Sequence, residues 1–119
     1  MSDIETGLQA YRQIPEAACR GFQDALELVG RRWTGAILLA AVRGARRFGE
    51  YRLAVAGISD RLLAARLKEL EADGLIARSV IPSTPVQIRY TPTEQGRQLM
   101  AALQPLIAWS HHRSTSRLA

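Results

Sequence analysis

The hydrophobic pattern of this 119-residue chain changes its period once, at Gly74. Before Gly74, apolar residues recur every three or four positions, which is typical of amphipathic helices. After it, the stretches LIARSVI (75–81) and VQIRYTP (86–92) are strand-like, and the second clearly alternates apolar and polar side chains. The loop PSTP (82–85) between them is bounded by prolines. The pattern therefore predicts several helices followed by a two-stranded hairpin.

Further helical stripes lie on both sides of this hairpin. Residues 4–11 predict a short N-terminal helix or arm that Pro15 interrupts, and a second stripe ends at Gly30. The stretch WTGAILLAAV (33–42) is apolar on every side, which predicts a buried central helix. A brief helix over FGEYRLAV follows. Thr93 caps a predicted last helix, residues 93–112, whose expected buried face holds Leu99, Met100, Leu103, Leu106, Ile107 and Trp109.

This order of elements predicts an α+β, mainly α, class and fits the winged helix-turn-helix arrangement, in which a hairpin follows the helix that reads DNA. The length suits a single domain. We expect an N-terminal arm that is partly helical (1–18), the winged-helix domain (19–112) and a polar tail (113–119) that frays.

Charge is distributed unevenly along the chain, whose formal net charge is +5. Residues 1–30 carry five acidic and two basic side chains, net −3, so residues 31–119 carry +8. Eight arginines lie between Arg31 and Arg66, against only Glu50 and Asp60. Positive charge concentrated in one part of a small domain predicts a polyanion binder.

The stretch GISDRLLAARLKELEADGLI (57–76) is the predicted recognition helix, residues 59–73, with Ser59 as its N-cap. Its leucines share one sector, which we expect to face the core. The opposite sector combines slim alanines with basic side chains, which suits a major groove about 12 Å wide. Ser59 and Asp60 lie at the end where recognition helices touch bases. The sector's predicted DNA contacts are Arg61, Ala64, Ala65 and Lys68.

The competing interpretation of this helix is an ordinary solvated surface made of good helix formers. Arg66 is its one discordant residue, because it falls inside the leucine sector and cannot be buried without a partner. Glu50 is a candidate partner. Alternatively, the Arg66 side chain extends past the edge of the sector to a phosphate.

Other arginines are predicted to contact the DNA backbone. Arg32 precedes the central helix, Arg46 and Arg47 precede Phe48, and Arg89 lies on the second strand. The loop 82–85 would enter a minor groove or rest on the backbone. Arg78, on the first strand, is the weaker candidate. For each of them, the alternative is an ordinary solvated arginine.

Several other classes of protein lack support in the sequence. The single cysteine, Cys19, excludes a disulfide within the chain and a zinc module of several cysteines. His111 and His112 are adjacent and point apart on a helix, so we expect no metal and no cofactor. No nucleophile-base set is apparent, so we do not expect an enzyme. The sequence contains neither a signal peptide nor a membrane-length apolar run, which favours a cytoplasmic protein without membrane contact.

Taken together, residues of about 19–110 resemble the HxlR-type winged-helix transcriptional regulators, relatives of the MarR class. The resemblance is carried by C…ALELVGRRWTGAILLAAVRGARRFGEYR, GISDRLLAARLKELEADGLIARSV, IPSTPVQIRYTPTEQG and Trp109. It implies a homodimer that binds double-stranded DNA at a palindromic operator, with repression the expected action, in response to an electrophile, an oxidant or a small ligand. The implied dimer interface uses the first helix and the last, here Phe22, Leu26, Leu103, Leu106 and Trp109.

The chain departs from that family pattern at several positions. Arg20 replaces a proline after the cysteine, Arg31 replaces a glycine, and Arg89 and Pro92 replace a glutamate and a leucine of the wing. The first departure matters most, because in several relatives a cysteine at this place senses oxidants. Cys19, beside Arg20 and near a helix start, is a candidate redox sensor. The alternative is a small hydrophobic residue in the dimer interface.

Two functions of different kinds follow from the sequence. The first is a homodimeric, sequence-specific DNA-binding regulator. The second is a winged-helix adaptor that binds proteins and never touches DNA. Salt dependence separates them, because a protein that neutralises phosphates binds DNA less tightly as salt rises.

Overall fold

The computed structural model describes residues 3–118 and has the predicted class, mainly helical with one two-stranded sheet. The chain divides into two compact units, with the boundary between Arg32 and Trp33. The elements are α1 (Asp3–Ala10), a 3₁₀ helix (Tyr11–Gln13), α2 (Glu16–Gly30), α3 (Thr34–Val42), α4 (Phe48–Ala54), α5 (Asp60–Ala72), β1 (Ile76–Ile81), β2 (Gln87–Pro92) and α6 (Glu94–Leu118).

The first unit contains α1, the 3₁₀ helix and α2, and none of the described residues in these elements is buried. Its apolar stripes are exposed, with Ile4 at 72%, Tyr11 at 67% and Phe22 at 60% of full exposure. Isolated helices of this length are only marginally stable in water unless they pack against another surface. The unit therefore presents apolar helix faces without a core of its own.

The second unit is built around α3, which packs against α4, α5, α6 and β2. Ile37, Leu38 and Ala41 are fully buried, which confirms the predicted central helix. Burying a side chain of the size of Ile37 or Leu38 stabilises the fold by about 1.5–3 kcal/mol. Around α3, the core is completed by Tyr51, Val55, Ile58, Leu63, Leu67, Leu70, Leu75, Ile76 and Met100.

Local chemistry sets both ends of α5. The Ser59 hydroxyl accepts a hydrogen bond from the Leu62 N–H at 3.1 Å, which confirms the predicted N-cap. At the other end Gly74 has φ +77°, a left-handed conformation that glycine adopts without strain. The chain then turns directly into β1, which pairs antiparallel with β2 from Ile76↔Pro92 to Ile81↔Gln87.

The start of α6 is fastened to the turn after α5. The Thr93 hydroxyl donates to the Gly74 carbonyl at 2.6 Å and accepts from the Gly96 N–H at 3.1 Å. A Cβ at position 96 would collide with the carbonyl of Leu75, so this close approach requires glycine. The base of the hairpin is therefore held between α5 and α6.

The end of α6 corrects two predictions. The tail was expected to fray from residue 113, but the helix continues to Leu118, and Ala119 lies outside the described residues. A cation–π contact one turn apart supports this segment, because the Arg113 guanidinium lies 5.3 Å from the centre of the Trp109 ring.

The buried face predicted for α6 is also wrong beyond its middle. Met100 is buried and Leu103 is half-buried, where α6 packs on α3 and β2. From Gln104 to Arg117, every residue is exposed, including Leu106, Ile107 and Trp109. Within one copy of the chain, these apolar side chains therefore face solvent.

The proposed pairing of Arg66 with Glu50 is wrong as well. Arg66 donates to the Glu69 carboxylate, one turn along α5, at 3.0 Å, and its side chain keeps 21% exposure at the edge of the core. Glu50 instead accepts hydrogen bonds from backbone N–H groups at the start of α4. The partner of Arg66 in this pair is therefore local, three residues away on the same helix.

Candidate nucleic-acid interface

The outward face of α5 has the composition that the sequence predicted. Leu63, Leu67 and Leu70 are buried, whereas Leu62 is only half-buried. The predicted contact residues Arg61, Ala64, Ala65 and Lys68 are all exposed, as are Ser59 and Asp60 at the N-terminal end. Two cations separated by methyl groups on an exposed helix face can approach base edges and phosphates without obstruction.

An ion pair lies at the N-terminal end of this face. The Arg52 Nη1 atom is 3.3 Å from the Asp60 Oδ2 atom and 3.4 Å from its Oδ1 atom. Both side chains are more than half exposed, so the pair itself is worth at most about 1 kcal/mol. Its position matters more, because it holds a carboxylate at the positive end of the α5 dipole and joins α4 to α5.

The start of α4 is organised by Glu50. Its Oε1 atom accepts hydrogen bonds from the N–H of Arg47 at 2.8 Å and of Arg46 at 3.0 Å. These two bonds, that from Arg47 first, lower the pKa of Glu50 below its ordinary value. The ionised carboxylate therefore fixes the backbone of both arginines.

The side chains of these two arginines take different directions. Arg47 is exposed and its Nη2 atom donates to the Gln87 Oε1 atom on β2 at 3.1 Å. The Arg46 Nη1 atom donates to the carbonyls of Ala41 at 2.9 Å and Ala45 at 2.7 Å, which closes the C-terminal end of α3. Arg46 thus has a structural role, and DNA contact by Arg46 remains a prediction.

Tyr51 connects α4 to the hairpin. It is fully buried, its hydroxyl donates to the Tyr90 carbonyl at 2.7 Å, and its ring meets the Tyr90 ring edge to face with centroids 6.2 Å apart. Burial raises the pKa of Tyr51 to about 12, although the nearby Arg46 charge acts in the opposite direction. The tyrosine therefore stays neutral and sets the position of β2 against α4.

Beyond its base, the hairpin exposes an arginine and a proline-bounded loop. Arg89 is exposed on β2, opposite Ser79 on β1, and the whole loop 82–85 is exposed. Within that loop, the Ser83 hydroxyl donates to the Pro85 carbonyl at 2.6 Å. Such a stiffened, proline-bounded tip can rest on a nucleic-acid backbone with little loss of conformational entropy.

A cleft of about 340 Å³ lies between α5 and the hairpin, lined by Ala64, Lys68, Glu71, Arg78 and Tyr90. It brings together Lys68, a predicted contact, and Arg78, the weaker candidate. The sequence did not predict this pairing, because it depends on how β1 packs against α5. In the observed strand register Arg78 lies opposite Tyr90, which also lines the cleft. Two cations at one cleft suit a single phosphate group.

The remaining predicted residues lie in the first unit and on α6. Arg32 is exposed immediately before the division between the units. Cys19 is exposed in the first turn of α2, and its neighbour Arg20 lies 3.5 Å from the Glu16 carboxylate. Among the predicted dimer residues, Leu103 is half-buried, and the others, Phe22, Leu26, Leu106 and Trp109, are all at least 50% exposed.

Two other kinds of site are absent from the part of the chain that the structure describes. Residues 3–118 contain no group of three or more histidine, cysteine or carboxylate side chains placed to hold a metal ion. Over the same residues, no helix combines the length and apolarity that a bilayer crossing requires.

Known proteins are similar to this chain in both sequence and architecture. The family model "HxlR-like helix-turn-helix" matches residues 28–117. The HTH-type transcriptional regulator YodB of Bacillus subtilis is 41% identical over 92 residues, 77% of this chain and 82% of that protein. The uncharacterized HTH-type transcriptional regulator YvaP of the same organism is 38% identical over 77% of this chain and 85% of its own length.

Solved structures agree with these matches. The reduced form of YodB superposes with a TM-score of 0.69 and 42% identity, covering 74% of this chain and 86% of that one. The redox regulator HypR in its reduced form gives a TM-score of 0.73 at 30% identity, covering 83% and 99%. YodB has also been solved after diamide treatment and with a quinone bound.

Proposed function

This chain belongs to the HxlR-like helix-turn-helix family of DNA-binding transcriptional regulators, and from that premise we propose a homodimeric repressor that reads a palindromic operator. The observation that carries the proposal is the exposed face of α5, where Arg61 and Lys68 flank alanines above a buried leucine sector. A cytoplasmic location follows from such a role. The family is one of regulators, and we propose no enzymatic activity.

We assign DNA contacts by position. The exposed α5 residues Ser59, Asp60, Arg61, Ala64, Ala65 and Lys68 would lie in a major groove, with the N-terminal end nearest the bases. The loop 82–85 would lie beside it on the minor groove. Backbone phosphates would be held by Arg47 and Arg89, by Arg32 and, through guanidinium nitrogens other than the one bonded to α3, by Arg46.

Exposed apolar side chains on α2 and α6 support the homodimer. Phe22 and Leu26 of α2 and Leu106 and Trp109 of α6 are exposed in one chain, and half-buried Leu103 adjoins the latter pair on α6. Exposed aromatic and aliphatic side chains on helices are typical of subunit interfaces. A two-fold dimer would present two copies of α5 to a palindromic site.

Selection of bound duplexes from a random pool tests the proposal. We expect one enriched motif made of two inverted half-sites. Arg61→Ala should weaken that motif by about 1–3 kcal/mol and random DNA much less. Arg43→Ala, which removes an exposed arginine from a different cleft, is the matched control and should bind as wild type. No enriched motif, together with binding unaffected by Arg61→Ala and Lys68→Ala, would instead favour the protein-binding adaptor.

A signal for release is supported by the quinone-bound and diamide-treated structures of YodB. We propose that Cys19 senses an oxidant or electrophile. It is exposed, and because the chain has one cysteine, any disulfide must join it to a second copy or to a small thiol, with two thiols giving up two protons and two electrons to the oxidant. Diamide should release wild-type protein from DNA but not Cys19→Ser. Equal release of both would leave Cys19 as a structural residue.

A further inference from the structure

The part of the N-terminal arm that precedes Pro15, residues 3–14 and here called the arm, has no place in the function proposed so far. It precedes residues 28–117, the part of the chain that the family model matches. Ile4, Leu8, Tyr11 and Ile14 form its apolar stripe, and all four are exposed. An eight-residue helix such as α1 is unstable alone in water, so its apolar side requires another surface.

Charge indicates which surface fits. Asp3 and Glu5 flank Ile4, and α1 contains no basic residue. The last helix is the opposite: beyond Glu94 it contains three arginines and no acidic residue. Two of them, Arg113 and Arg117, lie in its last turns and are exposed. An acidic helix with an apolar stripe is therefore complementary to the C-terminal end of α6.

The apolar pattern of α6 matches as well. At about 100° per residue, Leu106, Trp109, Arg113 and Arg117 fall within an arc of about 80° on one face. Arg113 lies over the Trp109 ring at 5.3 Å, so aromatic surface and cation adjoin each other. The face is apolar towards the middle of the helix and basic towards its end.

We propose that the arm of one copy packs on the C-terminal turns of α6 in a second copy. The inference rests on the proposed homodimer, whose interface uses Leu106 and Trp109 on this same face of α6. Because only Ile14 and Pro15 separate the 3₁₀ helix from α2, an arm on the adjacent turns would continue that interface. The arm would thus extend the α2–α6 contact and raise the affinity of the dimer.

Charge exchange between two copies tests this arrangement. One variant carries Asp3→Lys and Glu5→Lys, and the other carries Arg113→Glu and Arg117→Glu. Alone, each should dimerise about tenfold more weakly than wild type, because like charges then face each other. Mixed together, they should recover wild-type affinity, because each arm then meets an α6 of opposite charge. Sedimentation of differently labelled copies at low salt measures both constants.

The mixture separates binding between copies from binding within one copy. An arm that packed on its own α6 would stay mismatched in both variants, so mixing would restore nothing, and that result overturns the proposal. Rescue also excludes simple loss of α1, since unfolding of the arm by the lysines could not be repaired by glutamates on another chain.

Leu8→Ser supplies a second measurement. It should weaken the dimer by about tenfold, given the apolar area that a leucine buries. Leu53→Ser, at a leucine 82% exposed on α4, is the matched control and should not. Equal dimer affinity for Leu8→Ser and wild type would also overturn the arm contact. A wild-type chain that sediments as a monomer at micromolar concentration would instead remove the homodimer itself.

Discussion

Tyr51 joins α4 to β2, and this contact helps to hold the hairpin in place within the second unit. Its ring is buried between α4 and β2, and its hydroxyl satisfies the Tyr90 carbonyl at 2.7 Å. A buried carbonyl that loses its donor costs more than the hydrogen bond was worth, because water cannot replace the donor. The Tyr51 hydroxyl is therefore one of the contacts that hold β2 against α4, beside the hydrogen bond from the Tyr90 N–H to the Arg46 carbonyl at 2.7 Å.

Tyr51→Phe should lower the free energy of unfolding by about 1–3 kcal/mol at neutral pH. In a plot of the free energy of unfolding against pH, it should also flatten the alkaline limb, which is the fall in stability above pH 10. The pKa of Tyr51 is raised from 10.0 to about 12 in the folded protein, so its contribution is present below pH 10 and is lost as pH rises towards 12. Thermal unfolding from pH 8 to 11.5 measures both effects. Tyr11→Phe, at an exposed tyrosine, is the control, and an equally steep alkaline limb for Tyr51→Phe and wild type would contradict the assignment.

Arg46 and Arg47 show why charge alone does not identify a DNA contact. They are adjacent arginines, and the sequence alone predicts the same role for both, contact with the DNA backbone. In the structure, Arg46 donates to the Ala41 carbonyl in the last turn of α3 and to the Ala45 carbonyl just after it, whereas Arg47 is exposed and donates to Gln87. The C-terminal end of a helix favours a nearby cation. Which arginine reaches it depends on the turn geometry.

At the scale of elements, α5 and the hairpin form one surface because the cleft between them holds Lys68 and Arg78. If this cleft takes a backbone phosphate, Arg78→Ala should weaken binding to operator and to random DNA by the same factor. It should also make the slope of log affinity against log salt shallower by about 0.9 per copy of the chain. Fluorescence titration over a salt series gives both numbers.

The double variant Lys68→Ala with Arg78→Ala sharpens this prediction. Two cations that share one phosphate should show a combined loss smaller than the sum of the single losses. Glu71→Gln should strengthen binding, because Glu71 lines the same cleft and repels a phosphate there. Arg97→Ala, at an exposed arginine of α6 paired with Glu94, should change nothing. Additive losses would mean that Lys68 and Arg78 contact different groups.

The elements that local signals define were predictable from the sequence. The Ser59 cap, the glycine after α5 and the change of period gave the bounds of α5 and of the hairpin within two residues. The outward face of α5 followed from its helical period. The cleft did not, because it requires the packing of β1 on α5. Nor did the length of α6, because the composition of this polar segment alone predicts that it frays, whereas the helix continues to Leu118.

At the scale of the molecule, charge and apolar surface are divided along the chain. Residues 1–30 are net negative and bear exposed apolar faces, whereas residues 31–119 carry +8. A basic domain attracts DNA over several ångströms and raises the rate of encounter. Acidic, apolar helices that do not compete for phosphates are suited to subunit contact. The two properties together favour a dimer that binds DNA with two copies at once.

Salt dependence of operator binding counts those copies. With Arg32, Arg46, Arg47 and Arg89 as phosphate contacts, and one further phosphate shared by Lys68 and Arg78, each copy would release counterions from about five phosphates. The slope of log affinity against log salt is about −0.9 per phosphate, hence about −9 for a dimer and about −4.5 for one copy. Trp109→Asp, which places a charge in the proposed interface, should move the slope from the first value towards the second. A slope near −4.5 in wild type, unchanged by Trp109→Asp, would mean that one copy binds alone and that the exposed helix faces serve another partner.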